Sequence, residues 1–167
     1  MTHTLQFDFV ADKEKNTLTI RREFLAPRAL VWDCYTKSEL LDRWFAPSPL
    51  TTKTKSMDFR EGGHWHYAMV EPNGTEYWGY TEYSTIRPID YYTTLDAFSN
   101  AEGEINPDLP RAEWRVTFTD KGENALVETV VTYQSLSDLE KVIQMGMEQG
   151  MMATLEKLDT LLLALTK

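Results

Sequence analysis

The sequence predicts an α+β fold in which a curved antiparallel β-sheet wraps around a long C-terminal helix. Between residues 51 and 133, segments of alternating apolar and polar residues are separated by short turns, which is typical of an antiparallel meander. Over residues 137–165 the apolar positions recur every three or four residues, which indicates one amphipathic helix. A sheet and a helix with one apolar face each must bury these faces against each other.

The first residues predict a β-hairpin. Leu5, Phe7 and Phe9 alternate with polar residues, and so do residues 17–24, with a polar turn between the two segments. Residues 1–15 are therefore interpreted as an N-terminal extension or an extra strand of the sheet.

Two short helices are predicted after the hairpin. Pro27 suits the first turn of a helix over residues 28–35, because proline lacks only an N–H that this turn leaves free. Ser38 is a plausible N-cap for a second helix over residues 39–45.

Six strands are predicted in the meander, and glycines and prolines mark the turns. Gly62-Gly63 is interpreted as one such turn or bulge, since no phosphate-binding helix start follows it. The strands are expected near residues 51–59, 64–70, 76–86, 90–98, 112–119 and 125–133.

The C-terminal helix is predicted over residues 137–165, with Ser137 and Glu140 forming a capping box. Gly146 and Gly150 lie inside it, and each glycine costs about 1 kcal/mol relative to alanine in a helix. Close approach to the sheet, or space for a ligand, would explain their presence.

Four methionines surround these glycines. Met147 and Met151 flank the apolar face of the predicted helix, whereas Met145 and Met152 point away from it. The first pair is expected to line a pliable pocket or to belong to a plain core. The second pair is expected to be exposed and could mark the surface of a homodimer.

Composition restricts the class of protein. A chain of 167 residues with 42% hydrophobic residues suits a single domain, residues 1–167, with a substantial core. Its net charge of −9 disfavours binding to nucleic acid. One cysteine, no secretory signal and no apolar run long enough for a bilayer predict a cytoplasmic protein without membrane insertion.

Candidate chemical groups are few, and no common catalytic motif is found, so no catalytic residue is predicted. His64 and His66 share one strand face but lack further partners for a metal site, so neither a metal nor a cofactor is expected. Glu82 and Asp96 lie on neighbouring strands and are interpreted as exposed carboxylates, although burial together would allow proton chemistry. Cys34 is interpreted as a small buried residue.

Aromatic residues are concentrated in one stretch, since residues 65–98 contain nine of the twenty. They either fill a sheet core or line a pocket. Tyrosine and tryptophan combine an apolar body with a polar tip, which suits an amphipathic ligand. The candidate pocket-lining residues are Trp65, Tyr67, Met69, Trp78, Tyr80, Trp114, Phe118, Met147 and Met151.

Four segments of the chain carry a family resemblance, and they are REFLAPRALVWDCYTKSELLDRWFAPSP (22–49), MDFREGGHWHYAMVEPNGTEYWGY (57–80), DAFSNAEG (96–103) and SLSDLEKVIQMGMEQGMMATLEKLDTLL (135–162). Together they resemble the bacterial family similar to the C-terminal domain of the Hsp90 ATPase activator, within the START/Bet v 1-like superfamily. This resemblance implies the helix-grip fold, with a cavity between the sheet and the long helix that takes lipids, sterols, polyketides or other apolar ligands.

The sequence therefore predicts a protein that binds a small hydrophobic or amphipathic molecule. Two alternatives remain open at this point. One is an enzyme of cyclase or hydrolase type, which would need an acid or base facing the cavity. The other is a chaperone-partner module, which would need a contiguous exposed apolar patch.

Overall fold

The computed structural model describes residues 6–166. Within these residues, eight strands and four helices are joined by turns and loops. The strands are β1 (Phe7–Asp12), β2 (Thr17–Phe24), β3 (Thr51–Asp58), β4 (His64–Val70), β5 (Glu76–Arg87), β6 (Tyr91–Ser99), β7 (Ala112–Lys121) and β8 (Asn124–Tyr133). The helices are α1 (Arg28–Thr36), α2 (Ser38–Leu41), α3 (Leu136–Gln144) and α4 (Met147–Leu165).

All eight strands form one antiparallel sheet in the order β1-β2-β8-β7-β6-β5-β4-β3. Strands β3 to β8 pair with their neighbours in chain order, as the predicted meander requires, and β2 closes onto β8. The helix-grip α+β fold is confirmed. The predicted strand at residues 5–9 is β1, although Leu5 lies outside the described residues.

The prediction of one continuous C-terminal helix is wrong. Gly146 has a φ of 89°, in the left-handed region, and this residue separates α3 from α4. Glycine adopts this conformation without the steric cost that a Cβ would add. The three- and four-residue spacing predicted the buried face correctly, but apolar spacing cannot show where the backbone changes direction.

The predicted helix caps also differ from the observed ones. Ser135, not Ser137, is the N-cap of α3, and its Oγ accepts a 3.1 Å hydrogen bond from the backbone N–H of Asp138. Pro27 occupies the N-cap position of α1 rather than its first turn. Helix α2 begins at Ser38 itself and ends at Leu41, four residues before the predicted end.

The main core lies between the sheet and the helices α1 and α4. Phe118 of β7 contacts the rings of Trp32 and Tyr35 from α1, with centroid distances of 5.0 and 5.2 Å. Leu158 contributes to the same core from α4 and is fully buried. Among the described residues, no helix is both long enough and apolar enough to cross a membrane.

Candidate functional site

A cavity of about 80 Å³ lies between the sheet and α4. Its floor extends across strands β2, β8, β7, β6, β5 and β4, and Met151 and Leu155 of α4 lie over it. Drug-sized ligands occupy pockets of roughly 300–1,000 Å³, and an apolar cavity of about 150 Å³ accommodates benzene. The side chains therefore fill most of the space between sheet and helix and leave a small cavity.

Aromatic side chains form most of the wall of this cavity. Trp65 and Tyr67 stack at a centroid distance of 4.0 Å, and Phe45 packs edge-on against both of them. The aromatic lining residues are Tyr35, Trp44, Phe45, Trp65, Tyr67, Tyr83, Tyr92 and Trp114.

Each tryptophan of the wall is held in place by its indole N–H. Trp44 donates to the backbone carbonyl of Cys34 at 2.9 Å, and Trp65 donates to Oγ1 of Thr54 at 3.1 Å. Trp114 donates to Oδ2 of Asp96 at 2.6 Å. These bonds fix the rings and leave no indole N–H of the wall free for a ligand.

Gly79 creates the space in which the Tyr67 ring lies. The two residues are paired between β4 and β5. A Cβ at position 79 would lie 2.5 Å from Cζ and 2.6 Å from Oη of Tyr67, closer than van der Waals contact allows. Glycine in a strand often marks such a close approach.

Four tyrosine hydroxyls of the wall have no hydrogen-bond partner within the described residues. In residues 6–166, Arg28 Nε is the one fully buried side-chain polar atom without a partner. None of the four hydroxyls is such an atom, so each keeps some accessible surface, and all four tyrosines line the cavity. These hydroxyls belong to Tyr35, Tyr67, Tyr83 and Tyr92, and burial raises the pKa of each one.

Asp96 is the acidic residue of the cavity wall. Its Oδ1 accepts a 2.8 Å hydrogen bond from the backbone N–H of Ala112, and its Oδ2 accepts the bond from Trp114. Burial raises the pKa of Asp96 to about 6, although both hydrogen bonds and the nearby Arg111 lower it. Each carboxylate oxygen keeps a second lone pair for a ligand.

Arg22 lines the opposite part of the cavity, on β2. Its guanidinium forms an ion pair with Asp159 of α4 and donates at 2.9 Å to the backbone carbonyl of Glu23. It also lies over the ring of Phe24, 5.2 Å from the centroid. The charge of Arg22 is therefore compensated, and the ion pair joins α4 to the sheet.

The structure brings four of the nine predicted lining residues together at this cavity: Trp65, Tyr67, Trp114 and Met151. Phe118 instead packs beneath α1, and Met147 packs against a buried cluster that contains Leu139 of α3. Met69 lies further along β4, outside the lining.

Trp78 and Tyr80 lie on the other face of the sheet because of the strand register. Trp65 pairs with Thr81 and Tyr67 pairs with Gly79, so odd-numbered residues of this part of β5 face the cavity. Side chains alternate between the two faces of a strand. A register of this kind cannot be read from the aromatic content of two strands.

The outward face holds a second aromatic group, which contains the two histidines. His66 is buried, contacts the rings of Trp78 and Tyr80, and its Nε2 lies 2.8 Å from the carbonyl of Asn100. His64 stacks on Tyr80 with an interplanar angle of 5°. His64 and His66 therefore share one strand face, as predicted, and Trp65 and Tyr67 lie on the opposite face.

Glu82 and Asp96 do not share a face. Glu82 pairs with Leu95, and its carboxylate accepts a 2.6 Å hydrogen bond from Nη2 of Arg111 on the outward face. Asp96 pairs with Thr81 and faces inward. The interpretation of Asp96 as an exposed carboxylate is wrong, because its side chain lines the cavity and accepts hydrogen bonds from Ala112 and Trp114 of β7.

Other members of the wall were not among the predicted lining residues. Trp44 and Phe45 both line the cavity. Adjacent side chains of an ideal helix would not face the same side, but α2 ends at Leu41 and these two residues lie beyond it. Arg22 follows Leu18 and Ile20 at alternating positions of β2, so its inward direction could have been predicted.

The other residues singled out from the sequence do not line the cavity. Cys34 is fully buried, as expected, and burial raises the pKa of its thiol to about 11. Met145 and Met152 are exposed, by 58% and 43%. Gly150 does not approach the sheet: a Cβ there would have Pro47 as its nearest neighbour, at 3.9 Å. Within residues 6–166, no cluster of three or more metal-ligating side chains is found.

An antiparallel sheet that encloses a C-terminal helix, with an aromatic cavity between them, defines a helix-grip protein. The chain belongs to the family described as Activator of Hsp90 ATPase homolog 1-like protein, which it matches over residues 25–163. Folds of this kind commonly bind hydrophobic ligands.

Solved bacterial structures support this assignment. A protein from Arthrobacter aurescens is 26% identical with a TM-score of 0.88, and the match covers 93% of this chain and 90% of that one. Protein Ms6760 from Mycobacterium smegmatis is 30% identical with a TM-score of 0.86, over 95% and 97% of the two chains. A protein from Staphylococcus epidermidis is 30% identical with a TM-score of 0.80, over 91% and 92%. The search of curated proteins found no match.

Proposed function

We propose that this protein binds a compact amphipathic molecule in the cavity between the sheet and α4. The observation that carries this proposal is a group of four cavity-lining tyrosines whose hydroxyls have no hydrogen-bond partner within residues 6–166. Polar groups in an apolar site are normally hydrogen-bonded, to protein, water or ligand. A ligand with a small polar group on an apolar body would bond them and fill the remaining space.

The size of the cavity restricts this ligand. A volume of about 80 Å³ is close to half of the roughly 150 Å³ that accommodates benzene. A larger ligand would have to displace side chains, and Met151 and Phe45 are suited to this because both are only partly buried. Methionine adapts readily to different neighbours.

Native mass spectrometry of freshly purified protein tests the proposal, together with thermal-shift measurements across a library of small amphipathic molecules. We expect a bound molecule or a stabilising compound, and we expect Tyr67→Phe to reduce its affinity by removing one cavity hydroxyl. Tyr77→Phe is the matched control, because the Tyr77 hydroxyl is exposed and bonds Glu71. A clean apo mass with no thermal shift across the library would overturn the proposal.

Asp96 favours one second candidate, an enzyme that performs acid–base chemistry on its ligand. A general acid or base must reach the substrate proton and have a pKa near the working pH, and Asp96 lies in the wall with a pKa of about 6. Hydrolysis of a small ester such as p-nitrophenyl acetate, lost in Asp96→Asn but kept in Asp108→Asn, would support it. Equal rates in both variants would exclude a role for Asp96 in that hydrolysis.

The remaining expectations stay predictions. We place the protein in the cytoplasm as one domain. Met145 and Met152 are the surface on which we expect any homodimer contact, and size-exclusion chromatography with light scattering would detect it.

A further inference from the structure

Of the charged groups around the cavity, the positive ones are paired with carboxylates, whereas one carboxylate is not part of an ion pair within the described residues. Arg22 is paired with Asp159, and the guanidinium of Arg111 is bonded to Glu82 and to the backbone carbonyl of Asp96. The Asp96 carboxylate, by contrast, forms no ion pair of its own within the described residues, and both its side-chain hydrogen bonds come from neutral N–H groups. The uncompensated charge of the cavity wall is therefore negative.

The aromatic wall also favours a positively charged ligand. The faces of aromatic rings carry negative partial charge and attract cations, and cages of such rings recognise organic ammonium ions. Trp114 is bonded directly to Asp96, and the stacked pair of Trp65 and Tyr67 belongs to the same cavity. A cation between these groups would interact with the carboxylate and with the rings.

The charged hydrogen-bonding group that the wall leaves uncompensated is an acceptor. The indole N–H groups of Trp44, Trp65 and Trp114 are already used within the protein. The ionised Asp96 carboxylate can only accept hydrogen bonds, whereas the tyrosine hydroxyls can both accept and donate. A ligand that donates N–H bonds would satisfy them, whereas an anionic ligand would face the carboxylate of Asp96.

We propose that the cavity selects a compact organic ammonium ion, whose charged group binds Asp96 and whose alkyl body packs on the aromatic wall. This inference rests on the proposed function and names its ligand class. The net charge of −9 over the whole chain acts in the same direction, because it raises the local concentration of cations.

The test compares tert-butylammonium with tert-butanol, which have the same shape and number of heavy atoms but differ in charge. Binding is measured by chemical-shift titration of the labelled protein at pH 7.5. We expect tert-butylammonium to bind at least about tenfold more tightly, which corresponds to about 1.4 kcal/mol. Asp96→Asn should remove this preference, and Asp108→Asn, which changes an exposed carboxylate in the loop before β7, should keep it.

A second measurement covers the case in which Asp96→Asn does not fold. Lowering the pH from 7.5 to 5 should weaken binding of tert-butylammonium to the unmodified protein, because Asp96 gains a proton while the ligand stays charged. The other titratable groups around Asp96 are Tyr67 on β4 and Tyr133 on β8, and burial raises the pKa of both, away from this range. The nearby charged group is the guanidinium of Arg111 before β7. Glu82 faces outward and pairs with Arg111.

The outcomes separate this inference from the proposed function. Equal affinity for the two probes, or a preference that survives both Asp96→Asn and the change of pH, overturns the ammonium inference and leaves ligand binding intact. If neither probe binds, the ammonium inference is also overturned. The proposed function fails only if the wider library and native mass spectrometry are negative as well.

Discussion

Trp114 donates its indole N–H to Oδ2 of Asp96 at 2.6 Å, between strands β7 and β6. The backbone pairing of these strands ends at Leu95 and Glu113. One residue beyond, the side chain of Asp96 takes the place of a backbone acceptor, because its Oδ1 accepts a hydrogen bond from the backbone N–H of Ala112. A single carboxylate therefore continues the strand pairing and contributes the negative charge of the cavity.

Asp96 should make stability depend on pH. Its pKa rises from 3.8 to about 6 on folding, so the unfolded chain loses this proton at a lower pH than the folded protein. The protonated Asp96 therefore stabilises the folded protein, and this contribution is fully present below about pH 4. It is lost as the pH rises to about 6, and for two pKa units the free energy of unfolding falls by up to about 3 kcal/mol. Urea unfolding from pH 4 to 8 measures it.

The matched variant for this prediction is Asp96→Asn, which cannot titrate. An amide can accept from only one of the two N–H donors, so the variant should be less stable overall. The difference between the two proteins should nevertheless shrink as the pH rises from 4 to 6. A constant difference over this range would contradict the raised pKa of Asp96.

The two glycines near the start of α4 should respond oppositely to substitution by alanine. Gly146→Ala places a Cβ at a φ of 89°, so we expect a loss of about 1–2 kcal/mol in the free energy of unfolding. Gly150→Ala lies within α4, where its Cβ has ordinary contact with Pro47, so we expect a gain of about 0.5–1 kcal/mol. Stabilisation by both variants would indicate one continuous helix. Chemical denaturation measures both.

Gly79→Ala should displace the ring of Tyr67, because the added Cβ would lie 2.5 Å from Cζ of that ring. We expect a loss of about 1–3 kcal/mol in the free energy of unfolding, as for other overpacked sites. In a Tyr67→Ala background the same substitution should cost little, since the obstructing ring is gone. A double-mutant cycle by urea unfolding checks this, and an unchanged cost in that background would exclude the contact as its cause.

The ion pair between Arg22 and Asp159 should stabilise the position of α4 on the sheet. The Arg22 side chain is 14% exposed, so its charge is poorly solvated and its bond to Asp159 should be worth more than a surface pair. We expect a coupling free energy of about 1–2 kcal/mol from a cycle of Arg22→Met and Asp159→Asn.

The control for this cycle is the exposed pair of Lys37 and Asp33. The distance from Nζ of Lys37 to Oδ2 of Asp33 is 3.7 Å, and the two side chains are 53% and 41% exposed. Such a pair should couple by no more than about 0.5 kcal/mol. Equal coupling in the two cycles would show that the Arg22 pair acts as an ordinary surface contact.

Much of this molecule followed from local patterns. Alternation along residues 64–70 and 76–86 predicted strands whose observed bounds agree to within a residue, because side chains of a half-buried strand must alternate between core and solvent. The three- and four-residue spacing near the C-terminus predicted that Leu139 and Leu158 are buried, because an amphipathic helix buries the face on which its apolar residues recur. The need to bury two apolar faces against each other predicted that the sheet wraps around the helix, and the resemblance to a known family implied the same arrangement.

Only the tertiary structure decided which aromatic side chains meet. The pairing of Tyr67 with Gly79 sends Trp78 and Tyr80 to the outward face, and a register is a relation between two strands that neither strand specifies alone. The inward direction of Asp96 likewise depends on strand pairing, and the left-handed turn at Gly146 depends on backbone conformation. The sequence by itself determined the elements and their apolar faces, whereas the cavity and its charge arise from how those faces are brought into contact.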